Sequence, residues 1–184
     1  MLLNLLSSLR IATLTLAICA GGYTTLVWAF AQGARPFTAN GSILRDAAGA
    51  AVGSRQIAQG FTQAGYFWPR PSAADYDGMA AAGSNLSPAG ADVRARAEET
   101  VARYGATSQA PLPADLATAS GGGLDPHISE AAALYQVPRV AGARGRDAAA
   151  VQALVRSLAQ APGGPLTAGR IVNVLDLNRA IDNM

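Results

Sequence analysis

His127 is the only imidazole and Cys19 the only thiol in a chain of 184 residues, and all 14 cationic side chains are Arg, since no Lys occurs. Any acid–base or nucleophilic scheme therefore passes through His127. On paper, Ser120 or Ser84 completes a Ser–His–Asp set with His127 and Asp125, the arrangement of a membrane-anchored extracytoplasmic serine hydrolase. Two features oppose it: Asp125 and His127 are only two residues apart, and the chain has no Gly-x-Ser-x-Gly elbow. The surrounding loop, Thr118–Ser129 (TASGGGLDPHIS), places three glycines where backbone N–H groups could meet an anion. It lacks GxxxxGK[ST], and no Lys is present to reach a phosphate, so it reads as a tight, closely packed turn with His127 in a loop or capping role. Asp75/Asp77 and Glu98/Glu99 are carboxylate neighbours too close in sequence to converge on one site, which marks solvated faces. A single Cys and a single His exclude a disulfide framework and an ordinary zinc site, and the absence of Lys excludes Schiff-base chemistry. No catalytic residue and no metal ligand is assigned.

Composition narrows the class further. Half of the residues are hydrophobic and 14% are charged, well below the roughly 25% of an ordinary soluble domain. The net charge of +2 is spread along the chain, which is no footprint for nucleic acid.

The elements that must position these residues fall into a tail (1–10), a transmembrane helix and its exit (11–34), and an extramembrane domain (35–184). No charge lies between Arg10 and Arg35, and Ile11–Ala31 would span roughly 31 Å as a helix, matching a bilayer core of about 30 Å. Trp28 and Tyr23 suit an interfacial position near its C-terminal end. Ala29-Phe30-Ala31 offers an A-x-A cleavage pattern and Leu16-Ala17-Ile18-Cys19 a lipoprotein-like box, but the apolar run exceeds a signal h-region of about 7–15 residues. A single-span anchor in lipid is expected. Thr13, Ala17, Gly21, Thr25 and Ala29 recur every fourth residue, a small-residue stripe on which a partner helix could pack. Arg10 on one side and Arg35, Arg45 and Asp46 on the other leave orientation open, since long domains translocate largely regardless of charge.

Beyond the span the pattern predicts a small α+β domain. Ser42–Leu44 and Ala51-Val52 flank the turn Arg45–Gly49 as a loose β-hairpin. Gly65–Tyr76 (GYFWPRPSAADY) gathers four aromatics around Arg70, the core of a small domain if buried and a binding hot spot if exposed. A helix is expected from Ser87-Pro88 to Gly105, with Val93, Ala97, Val101 and Tyr104 on one face and Arg94/Glu98 and Glu99/Arg103 bracing the other. Ser129 opens a shorter helix that should break at Val137-Pro138. Asp147 caps a helix carrying Val151, Leu154, Val155 and Leu158, which ends before Gly163-Gly164-Pro165. Ile171–Leu175 reads as a buried strand, with Asp176 capping the closing helix.

The ordered phrases amount to a resemblance. Asn40-Gly41-Ser42, Gly60-Phe61, Tyr66-Phe67, Arg70–Ala73 and Gly83–Leu86 are followed by Thr118–Gly121, Gly123–Asp125, Tyr135–Ala141 with Ala143-Arg144, and Asn173–Asn178. In order and spacing, nearly to the C-terminus, the chain resembles the C subunits of the bacterial Kdp potassium-transporting P-type ATPases. The Pro126-His127 step after Asp125 departs from some of them. The resemblance implies a non-catalytic, single-pass subunit of an inner-membrane pump, with a cytoplasmic N-terminus and an extracytoplasmic domain. It implies three partners: a channel-like subunit that selects potassium, a P-type subunit that hydrolyses ATP, and a very small subunit. It also implies a catalytic-chaperone role, raising the ATP affinity of the ATPase subunit, and it places Gln136 at the position linked to nucleotide contact. ATP lies across the membrane from such a domain, so a cap near the ion entrance fits that topology better.

Overall fold

The computed structural model describes residues 2–166 and 169–184. It divides into two compact units, Met1–Ile43 and Leu44–Met184.

The first unit is dominated by one apolar helix: α1 (Leu2–Leu16), a π-helical stretch (Ala17–Tyr23) and α2 (Thr24–Ala34), continued by the short α3 (Pro36–Ala39). From Leu3 to Ala34 it has the length and composition to cross a membrane once. At 32 residues it extends about 48 Å, more than a bilayer core of about 30 Å requires. Leu14, Ile18, Leu26, Trp28 and Phe30 are each more than half exposed, so the helix builds no core within its own unit among the described residues. Gly21-Gly22 weaken the α-helical preference in the middle, where Thr24 Oγ1 donates to Cys19 O, five residues back, at 3.3 Å. Arg35 (φ −147°) leaves the helix, Pro36 starts α3, and Gln32 and Asn40 exchange side-chain amide hydrogen bonds at 3.1 and 3.2 Å across the bend.

The second unit is α+β. β1 (Ile43–Arg45) and β2 (Ala51–Ser54) form a hairpin whose turn is closed by the Asp46 carboxylate, which accepts from Ala48 N and Ala50 N at 2.9 Å. α4 (Ala91–Tyr104) and α5 (Ala114–Ala117) precede the central ribbon of β3 (His127–Ser129) and β4 (Ile171–Asn173). These strands pair antiparallel, with Ile128 opposite Val172, and alternation turns both inward while their neighbours stay half-buried. α6 (Glu130–Arg144), α7 (Ala148–Leu158) and α8 (Val174–Asp182) pack around that pair. Val137 and Val140 of α6, Val151 and Val155 of α7, and Leu177 and Ile181 of α8 are fully enclosed together with Phe67 and Leu116. Ser129 caps α6 by accepting from Ala132 N, and Ser129 is itself held by Asp115, while Asp147 caps α7 through Ala149 N and Ala150 N.

Five local expectations are corrected. The exposed side of α4 is not braced as expected: neither Arg94/Glu98 nor Glu99/Arg103 forms an ion pair among the described residues, where water solvates both charges of each pair. α4 starts at Ala91, because Ser87 is used in a turn, its carbonyl taking Gly90 N and its hydroxyl Ala89 N. Val101 is exposed on α4, whose inner side instead carries Val93, Arg96, Ala97, Thr100 and Tyr104 at partial burial. α6 does not break: it runs through Pro138, whose ring lies on the exposed side while Val137 and Val140 anchor the helix on both sides of it. β4 stops at Asn173, and Asn173 rather than Asp176 caps α8, accepting from Asp176 N at 3.1 Å. Proline in a helix interior costs about 3 kcal/mol. Pro138→Ala should therefore raise stability by about 1–3 kcal/mol, read as a higher urea midpoint with an unchanged slope.

Candidate functional site

The aromatic segment Gly65–Tyr76 has no strand to pair with, yet it crosses the core, so its peptide groups need other partners. Two amide side chains supply them. Asn178 of α8 accepts from Phe67 N at 2.8 Å and donates to Phe67 O at 3.0 Å. Gln136 of α6 does the same for Trp68, accepting from its N–H at 2.8 Å and donating to its carbonyl at 3.1 Å. Both amides are 1% exposed, so the oxygens and nitrogens of these two side chains are turned inward, away from solvent.

Two arginines of α6 complete the strap. Arg139 donates to Ala64 O, Tyr66 O and Gln136 Oε1 at 2.7, 2.9 and 2.6 Å, and its guanidinium lies 3.7 Å from the Trp68 ring centroid. Burial pulls its pKa down to about 10. Arg144 donates to Gly65 O at 2.5 Å and pairs with Asp182 at 2.6 Å, with its guanidinium over Tyr66. Phe67 and Pro69 are buried in the core, while Tyr66, Trp68 and Tyr76 are half-buried and keep part of their rings at the surface. Tyr104 packs edge-on against Trp68, and burial pushes its phenol up to about 12.

Beside the strap, Arg70 pairs with Asp125 at 3.2 Å and donates to Ala119 O. Asp125 accepts from His127 N at 3.0 Å, and the His127 Nδ1 lies 3.5 Å away. The hydrogen bond from the His127 side chain holds the Asp125 carboxyl below its ordinary range, opposed by burial and aided by the His127 backbone N–H, its charge and Arg70. No hydrogen bond joins Ser120 or Ser84 to His127 among the described residues; Ser120 is buried, and its hydroxyl accepts from Asp125 N. The Ser–His–Asp set is not assembled. The glycines serve close packing: at Gly123 (φ +72°) a Cβ would come within 2.8 Å of Ala74 Cβ and 2.9 Å of Ala82 O. Next to His127 a cavity of about 520 Å³ opens between Arg55, Gln160, Asn173 and Asp176, where Arg55 and Asp176 are paired at 2.6 Å. No cluster of three metal-ligating side chains exists among the described residues.

In the other unit, Thr13, Ala17, Gly21, Thr25 and Ala29 are all exposed, and a Cβ at Gly21 would meet nothing within 4 Å. In an α-helix a four-residue step overshoots a full turn by about 40°, so such a stripe drifts around the helix. In the π-helical stretch Ala17–Tyr23 the turn is wider and the same step falls short. The drift is thereby reversed at mid-span, which keeps the five small residues closer to one side.

Sequence reasoning missed the roles of Asn178, Arg139 and Arg144. A signal for the first was present: Asn178 sits on the apolar face formed by Val174, Leu177 and Ile181, where a polar group must have partners. Gln136 lies likewise between Ala133, Val137 and Val140.

Comparison with known proteins adds a separate line. The family profile described as "KdpC: K+-transporting ATPase, c chain" matches residues 5–183. The protein from Parvibaculum lavamentivorans named "Potassium-transporting ATPase KdpC subunit" is 54% identical over 98% of this chain and 97% of its own length. Proteins of the same name from Pseudomonas putida and Caulobacter vibrioides are 42% and 46% identical, covering 96% and 87% of this chain and 94% and 83% of their own lengths.

Two outcomes follow from the geometry. Gln136→Ala and Asn178→Ala each strand a buried N–H and a buried C=O, so each should lose about 2–4 kcal/mol in urea unfolding, with Trp68 emission moving toward that of the unfolded chain. The depressed Asp125 pKa contributes stability that is present above the ordinary aspartate range near pH 4 and lost as pH falls through the folded value. Asp125→Asn should therefore flatten the acid limb of the urea midpoint measured between pH 6 and pH 3.

Proposed function

The chain belongs to the KdpC family, the c chains of K+-transporting ATPases, and from that premise we propose how it serves the pump: as a membrane-anchored subunit that assembles the complex and raises the ATP affinity of its ATP-hydrolysing subunit. It is a subunit of a potassium-transporting ATPase and not an enzyme on its own; potassium is the ion that the complex carries. The helix Leu3–Ala34 fits a single-pass membrane protein. In the proposed arrangement its N-terminus is cytoplasmic, and the domain that follows caps the extracytoplasmic side near the ion entrance. Its partners are the channel-like potassium-selecting subunit, the P-type ATPase subunit and the very small subunit. The small-residue stripe from Thr13 to Ala29 is the face that packs on a partner helix, where close backbone approach replaces the missing hydrophobic drive.

The observation that carries this reading is the helix Leu3–Ala34, 32 residues long and apolar enough to cross a membrane, with its large apolar side chains exposed. The effect on ATP needs no contact with nucleotide. A subunit that binds the ATP-competent state of the complex more tightly than its other states raises ATP affinity by linkage. Gln136 then acts from the interior: it holds Trp68, and through Trp68 the shape of the domain surface, rather than reaching ATP.

The test uses the detergent-solubilised complex. Omission of this chain should raise the KM for ATP in the K+-stimulated ATPase assay or abolish activity; an unchanged KM and kcat would defeat the proposal. Ala17→Leu with Gly21→Leu should cut co-purification of the other subunits several-fold while the chain still fractionates with membranes. Full co-purification would remove the stripe as the contact.

A further inference from the structure

A second cleft lies between α4 and the outer side of the aromatic segment, away from the Asp125–His127 pair. It encloses about 250 Å³ and is lined by the rings of Trp68, Tyr76 and Tyr104 and by Arg96, Thr100 and Arg103 of α4. Arg96 and Arg103 are two helical turns apart and so project from the same side of α4. No residue of α4 is fully buried; its inner side meets the domain through half-buried Val93, Ala97, Thr100 and Tyr104 and leaves Arg96 and Arg103 over the cleft.

Charge lining the cleft is unbalanced: Arg96 and Arg103 face it against Glu99 alone, and Arg139, which does not line it, adds a further cation on the Trp68 ring. The Arg103 guanidinium lies 4.2 Å from the Trp68 ring centroid, and Arg139 lies 3.7 Å from the same ring. Neither guanidinium, nor that of Arg96, has a carboxylate within 4.0 Å among the described residues, where the ion pairs are formed by Arg55, Arg70, Arg144, Arg170 and His127. Glu99 lines the cleft and joins no ion pair among the described residues. Two cations on one indole repel each other, and partial removal from water strengthens that repulsion until an anion arrives.

The backbone holds the cleft in shape at some expense. Asp75 and Tyr76 are consecutive non-glycine residues in the left-handed region, at φ 50° and 58°. Ser72 Oγ accepts from Ala74 N and Tyr76 N, and the Tyr76 hydroxyl donates to Arg70 O at 3.0 Å, fixing the ring in the wall. At Gly60 a Cβ would sit 3.1 Å from the Tyr76 ring. An aromatic residue keeps such a conformation only where its surroundings over-determine it.

We infer that this cleft is a docking site for an acidic peptide segment of a partner protein, with a Glu or Asp carboxylate received by Arg103 and Arg96 and its apolar stem laid on Trp68 and Tyr104. Uncompensated guanidinium groups select an anion, and their planar forks suit a carboxylate. The volume lies below the roughly 300–1,000 Å³ of small-molecule pockets, and aromatic rings beside Arg are the usual anchors of a protein contact. The inference rests on the geometry of this domain and does not require the reading of the pump given above.

The chain contains two tryptophans, Trp28 and Trp68, so Trp28→Phe leaves Trp68 as the only indole reporter. Full-length protein with that change, in detergent, is titrated with the peptide acetyl-Leu-Glu-Glu-Leu-amide, its Gln-for-Glu counterpart, and sodium acetate. The expected result is a saturable change in Trp68 emission with the glutamate peptide alone, weakening as salt is raised. Arg103→Gln should weaken binding about tenfold, and Glu99→Gln should tighten it, because it removes the one negative charge in the wall. Isothermal calorimetry reads the same constants where a substitution alters the starting emission. Arg103 is exposed, so an unchanged circular dichroism spectrum is expected to accompany its loss of binding. No saturable response to the glutamate peptide, an equal response to the Gln peptide, saturation by acetate at the same carboxylate concentration, or undiminished binding by folded Arg103→Gln would each overturn the inference.

Discussion

A buried stretch of irregular chain must find partners for its peptide groups, and the second unit of this protein is arranged around the way one stretch does so. Phe67 and Trp68 cross the interior with no neighbouring strand, and the side-chain amides of Asn178 and Gln136 stand in for one. Each amide matches the donor and acceptor of one residue, so the two clamps also set the distance between α6 and α8. The aromatic rings follow from this: Phe67 is driven into the core, Trp68 is turned outward onto Arg139 and Arg103, and Tyr66 is turned onto Arg144.

A basic repertoire made only of Arg suits this design. A guanidinium presents donors in a fixed fork, and here that fork reads backbone carbonyls as often as carboxylates. Arg70 reaches Ala119 O, Arg139 reaches Ala64 O and Tyr66 O, Arg144 reaches Gly65 O, and Arg170 reaches Arg156 O and Ala159 O. Loops that would otherwise carry unsatisfied carbonyls are tied to helices by single side chains. Lysine, a point charge on a flexible stem, would tie them less rigidly.

The two units answer to different solvents. The helix from Leu3 to Ala34 exposes leucines, isoleucine, tryptophan and phenylalanine all round, whereas the second unit buries its apolar side chains in one cluster. Beside that cluster Ser120 is enclosed, and Asp125 is committed to Arg70 and His127. Under the proposed function, this subunit acts through the states of the assembly that it holds more tightly, a thermodynamic role that asks for rigid surfaces rather than reactive ones.

Much was legible from residue order alone. The apolar span, the caps Ser129 and Asp147 and the glycine turn all depend on local chemistry, and local chemistry is written in neighbouring residues. The course of α6 through Pro138 was not legible, because the penalty of an interior proline is local while the packing of Val137 and Val140 that outweighs it comes from distant segments. The partner of Gln136 could not be read either: 68 residues separate it from Trp68, and no spacing rule reaches that far. Nor could the sequence say that Arg103 would lie on the same indole as Arg139, since that meeting requires α4 and α6 to converge on one ring. Residue order determined what each segment can do by itself; which segments satisfy one another's buried polar groups and charges was decided only when the chain closed on its core, because those energies exist only between parts brought together in space.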